Sequence, residues 1–222
     1  MSLAPSHPAQ DIETLGVSRH TDLVTVISMY DADKGFAKVL RFVDMTEEGD
    51  IVYNDDFAER VAQFTKILDD ASSLCTFNGL NFDIPFVQTQ FKIPNATVQG
   101  WVLKTFDVLE MTRRGFGRTF NLNLLLQLNG FNHLKTGSGL EAVHQAQRGD
   151  WDELESYCLS DSRLTWEISS RDIIFCPEGY QWRKAHGGRS HDPDCVFRID
   201  RTNFPDVSFS FGPLGQPASA AV

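Results

Sequence analysis

The chain has 222 residues, of which 41% are hydrophobic and 23% charged, and its formal net charge is −10. This length and mixture are typical of one compact domain and exclude a chain that is disordered throughout. The negative charge argues against a broad, nonspecific electrostatic grip on a nucleic-acid backbone, but it does not exclude a narrow basic groove.

The sequence carries no signal for export or for insertion into a membrane. No apolar run reaches the length needed to cross a bilayer, and the first ten residues, MSLAPSHPAQ, have neither a basic start nor an apolar centre. Four cysteines without the dense spacing of a disulfide scaffold suit a reducing compartment. We therefore expect a cytoplasmic protein.

The first half of the chain predicts a hairpin, a helix, a buried strand and a second helix. DLVTVISMYD (22–31) is rich in β-branched residues, and GFAKVLRFVDM (35–45) alternates apolar and polar residues after a turn signal. Residues 54–71 place apolar side chains at helical spacing, with Asn54 or Asp55 as the N-cap. SSLCTFNG (72–79) then predicts a short buried strand, and FDIPFVQTQFKI (82–93) a helix directly after it.

The second half predicts further helices and then an irregular extension. KTFDVLEMTRR (104–114) fits a strand or a helix, whereas NLNLLLQLNGF (121–131) predicts a helix that stops at Gly130. Residues 139–173 predict two helices joined near RGD, of which the second is long. We expect one α/β domain over 1–175, a mixed sheet flanked by helices, and an irregular extension over 176–222, with Phe204, Phe209 and Phe211 packed onto the domain.

Acidic residues occur in three contexts that suit a metal site. In DIET (11–14), Asp11 and Glu13 are two positions apart and share one face if the segment is extended. Asp83 lies between a strand and a helix, where α/β sheets build sites. In YCLSD (157–161), Tyr157 and Asp161 share one face of a helix. Clustered carboxylates repel one another unless a cation such as Mg²⁺ neutralises them, and paired cations promote phosphoryl displacement.

These three segments, DIET, FNGLNFDIPF (77–86) and YCLSD, in this order, resemble the three motifs of the DnaQ-like (DEDD) 3′–5′ exonucleases. The Tyr-x-x-x-Asp form of the third motif resembles the tyrosine subgroup. The resemblance covers about two thirds of the chain and implies a ribonuclease H-like fold with a mixed five-stranded sheet. It also implies hydrolysis of terminal phosphodiester bonds with two Mg²⁺ or Mn²⁺ ions, and a nucleic-acid substrate with a free 3′ end.

The resemblance further implies roles for individual residues. Asp11 would bridge both metal ions, with Glu13 and Asp161 completing the first site and Asp83 acting on the second. Tyr157 would orient the attacking water. Substrate contacts are implied for Thr14, Asn78, Phe82, Arg118 and Lys135. One departure from the family is the flank APSHPAQ (4–10), whose prolines suit a central strand poorly, so we expect that strand to begin only at Gln10, or the flank to be divergent.

Each of these residues also has a structural interpretation. The segment DIET fits a solvated turn, Asp83 fits a helix N-cap, Tyr157 fits packing, and Asp161 fits an exposed helix charge. Asp107 in TFDVLEM is expected to have a structural hydrogen-bonding role rather than a metal-binding role. The basic residues of the loops fit either solvated positions or contacts with phosphates: Arg113, Arg114, Arg118 and Lys135.

Two alternatives remain at the level of function. One is a structure-specific ribonuclease H-like endonuclease, and another is a degenerate nuclease fold that acts as a nucleic-acid or protein interaction module. Cys176, His186, His191 and Cys195 could form a zinc site, although their spacing matches no compact zinc signature, and a turn explains SHDPDC more simply. DNA is expected ahead of RNA, and any proofreading would require a separate polymerase or another replication or repair partner.

Overall fold

The computed structural model describes residues 7–176 and 195–213. The strands are Ala9–Thr14 (β1), Val24–Asp31 (β2), Phe36–Arg41 (β3), Val43–Met45 (β4), Ile51–Tyr53 (β5), Leu74–Thr76 (β6), Thr105–Asp107 (β7), Ile173–Cys176 (β8), Cys195–Asn203 (β9) and Asp206–Pro213 (β10). The helices are Phe57–Asp70 (α1), Asp83–Phe91 (α2), Asn95–Leu103 (α3), Val108–Phe116 (α4), Leu122–Leu128 (α5), Gly139–Arg148 (α6) and Trp151–Ser169 (α7). None of these helices is long and apolar enough to cross a membrane.

The main sheet has five strands in the order β3-β2-β1-β6-β7. The pairs β3/β2 and β2/β1 are antiparallel, whereas β1/β6 and β6/β7 are parallel. Strand β2 is buried along nearly its whole length, because helices cover both faces of the sheet. The predicted fold, a mixed five-stranded α/β sheet flanked by helices, is confirmed.

The N-terminal flank agrees with a late start of the first strand. Strand β1 begins at Ala9, directly after Pro8, whose carbonyl accepts a hydrogen bond of 3.0 Å from the backbone N–H of Cys75 in β6. Proline lacks an N–H but keeps its carbonyl, so Pro8 can take part in the sheet only as an acceptor. The predicted hairpin, β2 with β3, is also present.

Helix α7 lies across the sheet and is fixed to β2 by polar contacts. The hydroxyl of Ser28 donates to the carbonyl of Cys158 at 2.7 Å and lies 2.6 Å from the hydroxyl of Ser162. Ser28, Cys158 and Ser162 are all buried, and buried polar groups require such partners. The contacts set the position of α7 along the sheet and therefore the position of the third acidic motif.

Three local predictions differ from the structure or are resolved by it. Residues 104–114, which fit either a strand or a helix, form both: β7 and then α4, with Asp107 as the N-cap. The N-cap of α1 is Asp56, so the prediction of Asn54 or Asp55 is wrong; Asn54 instead donates its side-chain amide to the carbonyl of Arg41. Helix α3 was not predicted, because it has almost no amphipathic pattern.

The segment after 175 is more regular than its composition indicates. Strands β8, β9 and β10 form a second, antiparallel sheet, so the prediction of an irregular extension is wrong for residues 195–213. The signal was present as a period of two in VFRID and VSFSF, but it is short and surrounded by Gly and Pro. The predicted boundary at 175 falls inside β8, and the division into two domains stays a prediction.

The second sheet packs on the first domain through aromatic side chains. The rings of Phe204 and Phe106 lie 5.6 Å apart, and those of Phe209 and Phe116 lie 5.7 Å apart, both edge to face. The predicted packing is therefore confirmed for Phe204 and Phe209. The side chain of Phe211, and the candidate zinc ligands His186, His191 and Cys195, lie outside the described residues or side chains.

Candidate active site

The first acidic motif lies in the centre of the main sheet. Asp11 and Glu13 belong to β1 and pair with Ser28 and Val26 of β2. Residues that alternate along a strand share a face, and Ser28 contacts α7, so both carboxylates lie on the face covered by α7. Glu13 is buried and Asp11 is partly exposed. This placement contradicts the solvated-turn interpretation of DIET.

The loop between β6 and α2 brings the second motif to the same edge of the sheet. Asn78 has a positive φ of 72°, a conformation that asparagine tolerates better than most residues. A Cβ atom at Gly79 would lie 2.5 Å from the Cβ of Thr76, so only glycine fits there without a shift. The Asn-Gly pair therefore turns the chain sharply from β6 into α2.

Asp107 holds this loop in place. One of its carboxylate oxygens accepts from the backbone N–H groups of Asn78 at 3.1 Å and Glu110 at 3.0 Å. The other accepts from the hydroxyl of Thr76 at 3.1 Å and the N–H of Leu80 at 2.9 Å. The predicted structural hydrogen-bonding role of Asp107 is confirmed: it connects β6, β7 and the loop that leads to Asp83.

Asp83 is the first residue of α2, and its side chain is buried. The N-cap position belongs to Phe82, whose side chain makes no capping hydrogen bond. The Oδ2 atom of Asp83 makes no hydrogen bond within the described part of the chain. A buried carboxylate oxygen without a partner is costly, which favours a ligand over a capping role.

The third motif lies on α7 together with a lysine from another segment. Asp161 is buried, and one of its carboxylate oxygens forms an ion pair with the ammonium group of Lys135. That ammonium group also lies 4.9 Å from the centre of the Tyr157 ring. Asp161 is therefore not an exposed helix charge, whereas the ring of Tyr157 packs against a hydrophobic cluster as well as against Lys135, so its role beyond packing stays a prediction.

The backbone of Lys135 is clamped by a residue that sequence reasoning did not single out. The side-chain amide of Asn123 accepts from the N–H of Lys135 at 2.7 Å and donates to its carbonyl at 3.1 Å. Asn123 lies on α5, so this helix fixes the loop that carries Lys135. The solvated-loop interpretation of Lys135 is wrong. No sequence pattern links positions 123 and 135, so only the three-dimensional structure identifies this clamp.

The four carboxylates share Lys135 as a positively charged neighbour. Burial, and then the charge of Asp161, raise the pKa of Asp11 to about 7, while Lys135 opposes this. Burial and the charge of Asp11 raise the pKa of Glu13 and of Asp83 well above their ordinary values. Burial also raises the pKa of Asp161, although Lys135 lowers it. One lysine does not balance four carboxylates, so the site favours further positive charge.

A cysteine, also missed by sequence reasoning as a site residue, completes the cluster. The sulfur of Cys158, the residue after Tyr157, lies 3.7 Å from Oδ2 of Asp11 and 3.5 Å from its carbonyl oxygen. Cys158 is fully buried under β1 and β2. Its position within YCLSD was the available signal.

A cleft of about 520 Å³ is lined by three of these carboxylates, those of Asp11, Glu13 and Asp83. Four of the residues with predicted substrate contacts also line it, namely Thr14, Asn78, Phe82 and Lys135. Arg118 does not line it; its guanidinium group lies 5.6 Å from the centre of the Phe120 ring. A neighbouring cleft of about 560 Å³ beside Tyr157 is lined by Glu141, Asp152 and Glu153, which would repel phosphate.

The donor set fits a hard divalent cation. Carboxylate oxygens are the ligands that Mg²⁺ and Mn²⁺ prefer. Asp11 and Glu13 are among a group of side chains whose ligand atoms lie within 4.8 Å of one another, and one oxygen each of Asp83 and Asp161 is buried without a hydrogen bond in the described chain. Such orphaned oxygens are the groups that a cation would satisfy.

The fold and this acidic site together define a class of protein, the ribonuclease H-like nucleases. Residues 10–171 match the family model of the RNase_H superfamily. The match covers most of the chain, and the protein therefore belongs to the RNase_H superfamily.

Comparison with solved structures agrees with this fold. The chain is similar to the family B DNA polymerase from the hyperthermophilic archaeon Pyrobaculum calidifontis, with a TM-score of 0.52 and 16% sequence identity. The similarity covers 75% of this chain and 24% of the polymerase chain. At this identity the similarity shows the fold alone. No curated protein matches the sequence.

Proposed function

We propose that this protein is a metal-dependent 3′–5′ exonuclease of the tyrosine subgroup, which removes nucleotides from a 3′ end by water attack on the terminal phosphodiester. One observation carries the proposal. Asp11, Glu13 and Asp83, from two distant segments, line one open cleft, and Asp161, from a third segment, forms an ion pair with Lys135, which also lines that cleft. Membership of the RNase_H superfamily supports a nuclease.

Two divalent cations are expected at this cluster. Asp11 would contact both, Glu13 and Asp161 would complete one site, and Asp83 would complete the other. When bound, Mg²⁺ or Mn²⁺ would lower the pKa of water and stabilise negative charge on the phosphate. The buried oxygens of Asp83 and Asp161 that lack hydrogen bonds support this assignment.

The chain's own residues would position the nucleophile. The hydroxyl of Tyr157 is buried, and the ring of Tyr157 lies beside the ammonium group of Lys135. The hydroxyl could therefore orient a water molecule that is shielded from bulk solvent. Burial raises the pKa of Tyr157, so the phenol keeps its proton at neutral pH and can donate it in a hydrogen bond. Lys135 keeps its charge, because Asp11 and Asp161 outweigh the effect of burial on its pKa.

The cleft suggests how a 3′ end would be held. Phe82 lines it and is half-buried, with its ring centre 5.3 Å from that of Phe86, so it can offer one face to a terminal base. Asn78 and Thr14 offer polar groups along the same wall. Arg118 lies outside the cleft lining and would contact only a longer substrate.

DNA is the first substrate to test, because the similar solved chain is a DNA polymerase. The same comparison motivates a search for a separate polymerase, or another replication or repair protein, as partner. Because three carboxylates line the cleft and the fourth, Asp161, pairs with Lys135 of its lining, we favour an active nuclease over a degenerate interaction module.

The direct experiment is a time course on DNA and RNA oligonucleotides labelled at the 5′ end, with Mg²⁺, Mn²⁺ or EDTA. We expect mononucleotide release from the 3′ end with either metal and none in EDTA. Internal fragments would indicate the endonuclease instead, and tight binding without turnover would indicate the interaction module.

A further inference from the structure

The acidic cluster contains a thiol, that of Cys158, besides the carboxylates that would bind magnesium. Ligand atoms of Asp11, Glu13 and Cys158 all lie within 4.8 Å of one another. Cys158 follows Tyr157 directly on α7 and packs at the edge of a small hydrophobic cluster, where its sulfur lies 3.5 Å from the carbonyl oxygen and 3.7 Å from Oδ2 of Asp11. A thiol at this position is a soft ligand among hard ones.

The distance between the sulfur of Cys158 and Oδ2 of Asp11 suits coordination of both atoms to one ion. Tetrahedral Zn²⁺ takes bonds of about 2.3 Å to sulfur and about 2.1 Å to oxygen, which separates the two ligand atoms by about 3.6 Å. The sulfur of Cys158 lies 3.7 Å from Oδ2 of Asp11. An ion between these atoms would therefore need little movement of β1 or α7.

A second observation concerns two carboxylates near this group. Asp161 is 2% exposed and Asp83 is 5% exposed, yet each has one carboxylate oxygen with no hydrogen bond among the described residues. Their oxygens lie outside the group within 4.8 Å, but the charge of Asp161 helps to raise the pKa of both Asp11 and Cys158. A cation at Cys158 would thus have a further carboxylate close by.

We propose that Cys158 joins Asp11 and Glu13 as a third ligand when a thiophilic divalent ion such as Zn²⁺, Co²⁺ or Cd²⁺ enters the site. The S–H proton passes to solvent as the metal–sulfur bond forms, so one additional proton is released for each ion bound. Mg²⁺, which has little affinity for sulfur, binds through the oxygens alone. The protein therefore binds thiophilic ions more tightly than Mg²⁺ at the same place, and these ions displace Mg²⁺.

This proposal rests on the Asp11–Glu13 site of the proposed function, but its test does not require cleavage. The metal-free full chain is titrated with Co²⁺ while absorbance is recorded, because a Co²⁺–thiolate bond produces a charge-transfer band that carboxylates do not produce. We expect one such band per chain, with saturation in the same range as the quenching of tryptophan fluorescence. Addition of Zn²⁺ should abolish the band by competition.

The control variants separate Cys158 from the other cysteines. Cys158→Ala and the nearly isosteric Cys158→Ser should both lose the band, whereas Cys75→Ala, at a buried free cysteine on β6, should keep it. Loss of an outer partner of a metal ligand already costs about 10–100-fold in affinity. Loss of a direct ligand should therefore weaken Co²⁺ binding by at least about 100-fold in both Cys158 variants, and Mg²⁺ binding far less.

Two results would overturn the proposal. The first is saturating Co²⁺ binding without a thiolate band, and the second is equal Co²⁺ affinity in the wild type and Cys158→Ser. In either case, Mg²⁺-dependent cleavage would leave the proposed function intact. If neither Co²⁺ nor Mg²⁺ bound, the assignment of the metal site itself would be wrong, and both proposals would fail.

Discussion

Replacing Asp83 by Asn should make the metal-free protein more stable and the enzyme nearly inactive. The Oδ2 atom of Asp83 is buried and has no hydrogen-bond partner in the described chain. Near neutral pH the ionised form of Asp83 is a buried charge without a partner for Oδ2. The protonated form avoids that charge but requires the uptake of a proton from solvent, which is unfavourable at this pH. The amide carries no charge and takes up no proton, but its N–H groups are also polar and buried, so we expect a net gain of about 1 kcal/mol in the free energy of unfolding.

The expected loss of activity follows from the same change. Asn has the size of Asp but lacks the negative charge that a hard cation requires. If the charge stabilisation lost in the transition state is about 4 kcal/mol, turnover falls about 10³-fold. Saturating metal stabilises a folded protein by about 2.7 kcal/mol at one hundred times its dissociation constant, and this gain should shrink in Asp83→Asn.

The assay is urea denaturation in EDTA and in Mg²⁺, combined with single-turnover cleavage. Asp70→Asn is a matched control, because Asp70 is an exposed partner of Lys66 at the end of α1 and does not line the cleft. Its effect should stay within about 0.5 kcal/mol, as for other surface ion pairs. A variant at Asp83 that is destabilised in EDTA and cleaves normally would refute the reasoning and make Asp83 a structural residue of α2.

Four further predictions concern neighbouring residues. Tyr157→Phe should slow the single-turnover rate by about 10²–10⁴-fold and leave the metal affinity from calorimetry unchanged, because the hydroxyl positions water rather than metal. Lys135→Met should destabilise the protein by about 1–3 kcal/mol in EDTA, because Asp161 loses its partner, and by less in Mg²⁺; equal losses in both would contradict this. Asp107→Asn should cost about 3 kcal/mol in urea denaturation, because an amide cannot accept all four hydrogen bonds and at least two are lost; a loss below about 1 kcal/mol would contradict this. The pKa of Asp11 is about 7 in the folded protein and 3.8 ordinarily, so between these pH values Asp11 takes up a proton on folding. The metal-free protein should therefore lose stability from pH 4 to pH 7, while its metal affinity rises as the carboxyl group ionises. Asp11→Asn should make the stability less dependent on pH.

Much of the site could be predicted from the sequence because its ligands follow local rules. Two carboxylates two positions apart share a strand face, and Asp83 lies between a strand with an Asn-Gly turn after it and a helix. Tyr157 and Asp161 are one helical turn apart. These short-range relations persist in the structure, and they place each motif on its element without knowledge of the tertiary fold.

The residues that sequence reasoning missed depend on long-range contacts. Asn123 and Lys135 are twelve positions apart, and their two hydrogen bonds form only after α5 packs. Cys158 reaches Asp11 across 147 positions, through the packing of α7 on β1. Strand β9 pairs with β8 across 177–194, a pairing that no local period predicts. In each case the tertiary structure supplies a partner that the sequence pattern does not contain.

The proposed metal site, four carboxylates that act in the removal of nucleotides from a 3′ end, can be tested with one DNA oligonucleotide labelled at its 5′ end. Its cleavage is followed on a gel that resolves single nucleotides, with the wild type and Asp161→Asn, in Mg²⁺ and in EDTA. We expect a ladder that shortens one nucleotide at a time in the wild type with Mg²⁺ and no change in the other three reactions. Cleavage that persists in EDTA or in Asp161→Asn, or a covalently closed circle that is cut, would show that this function is wrong.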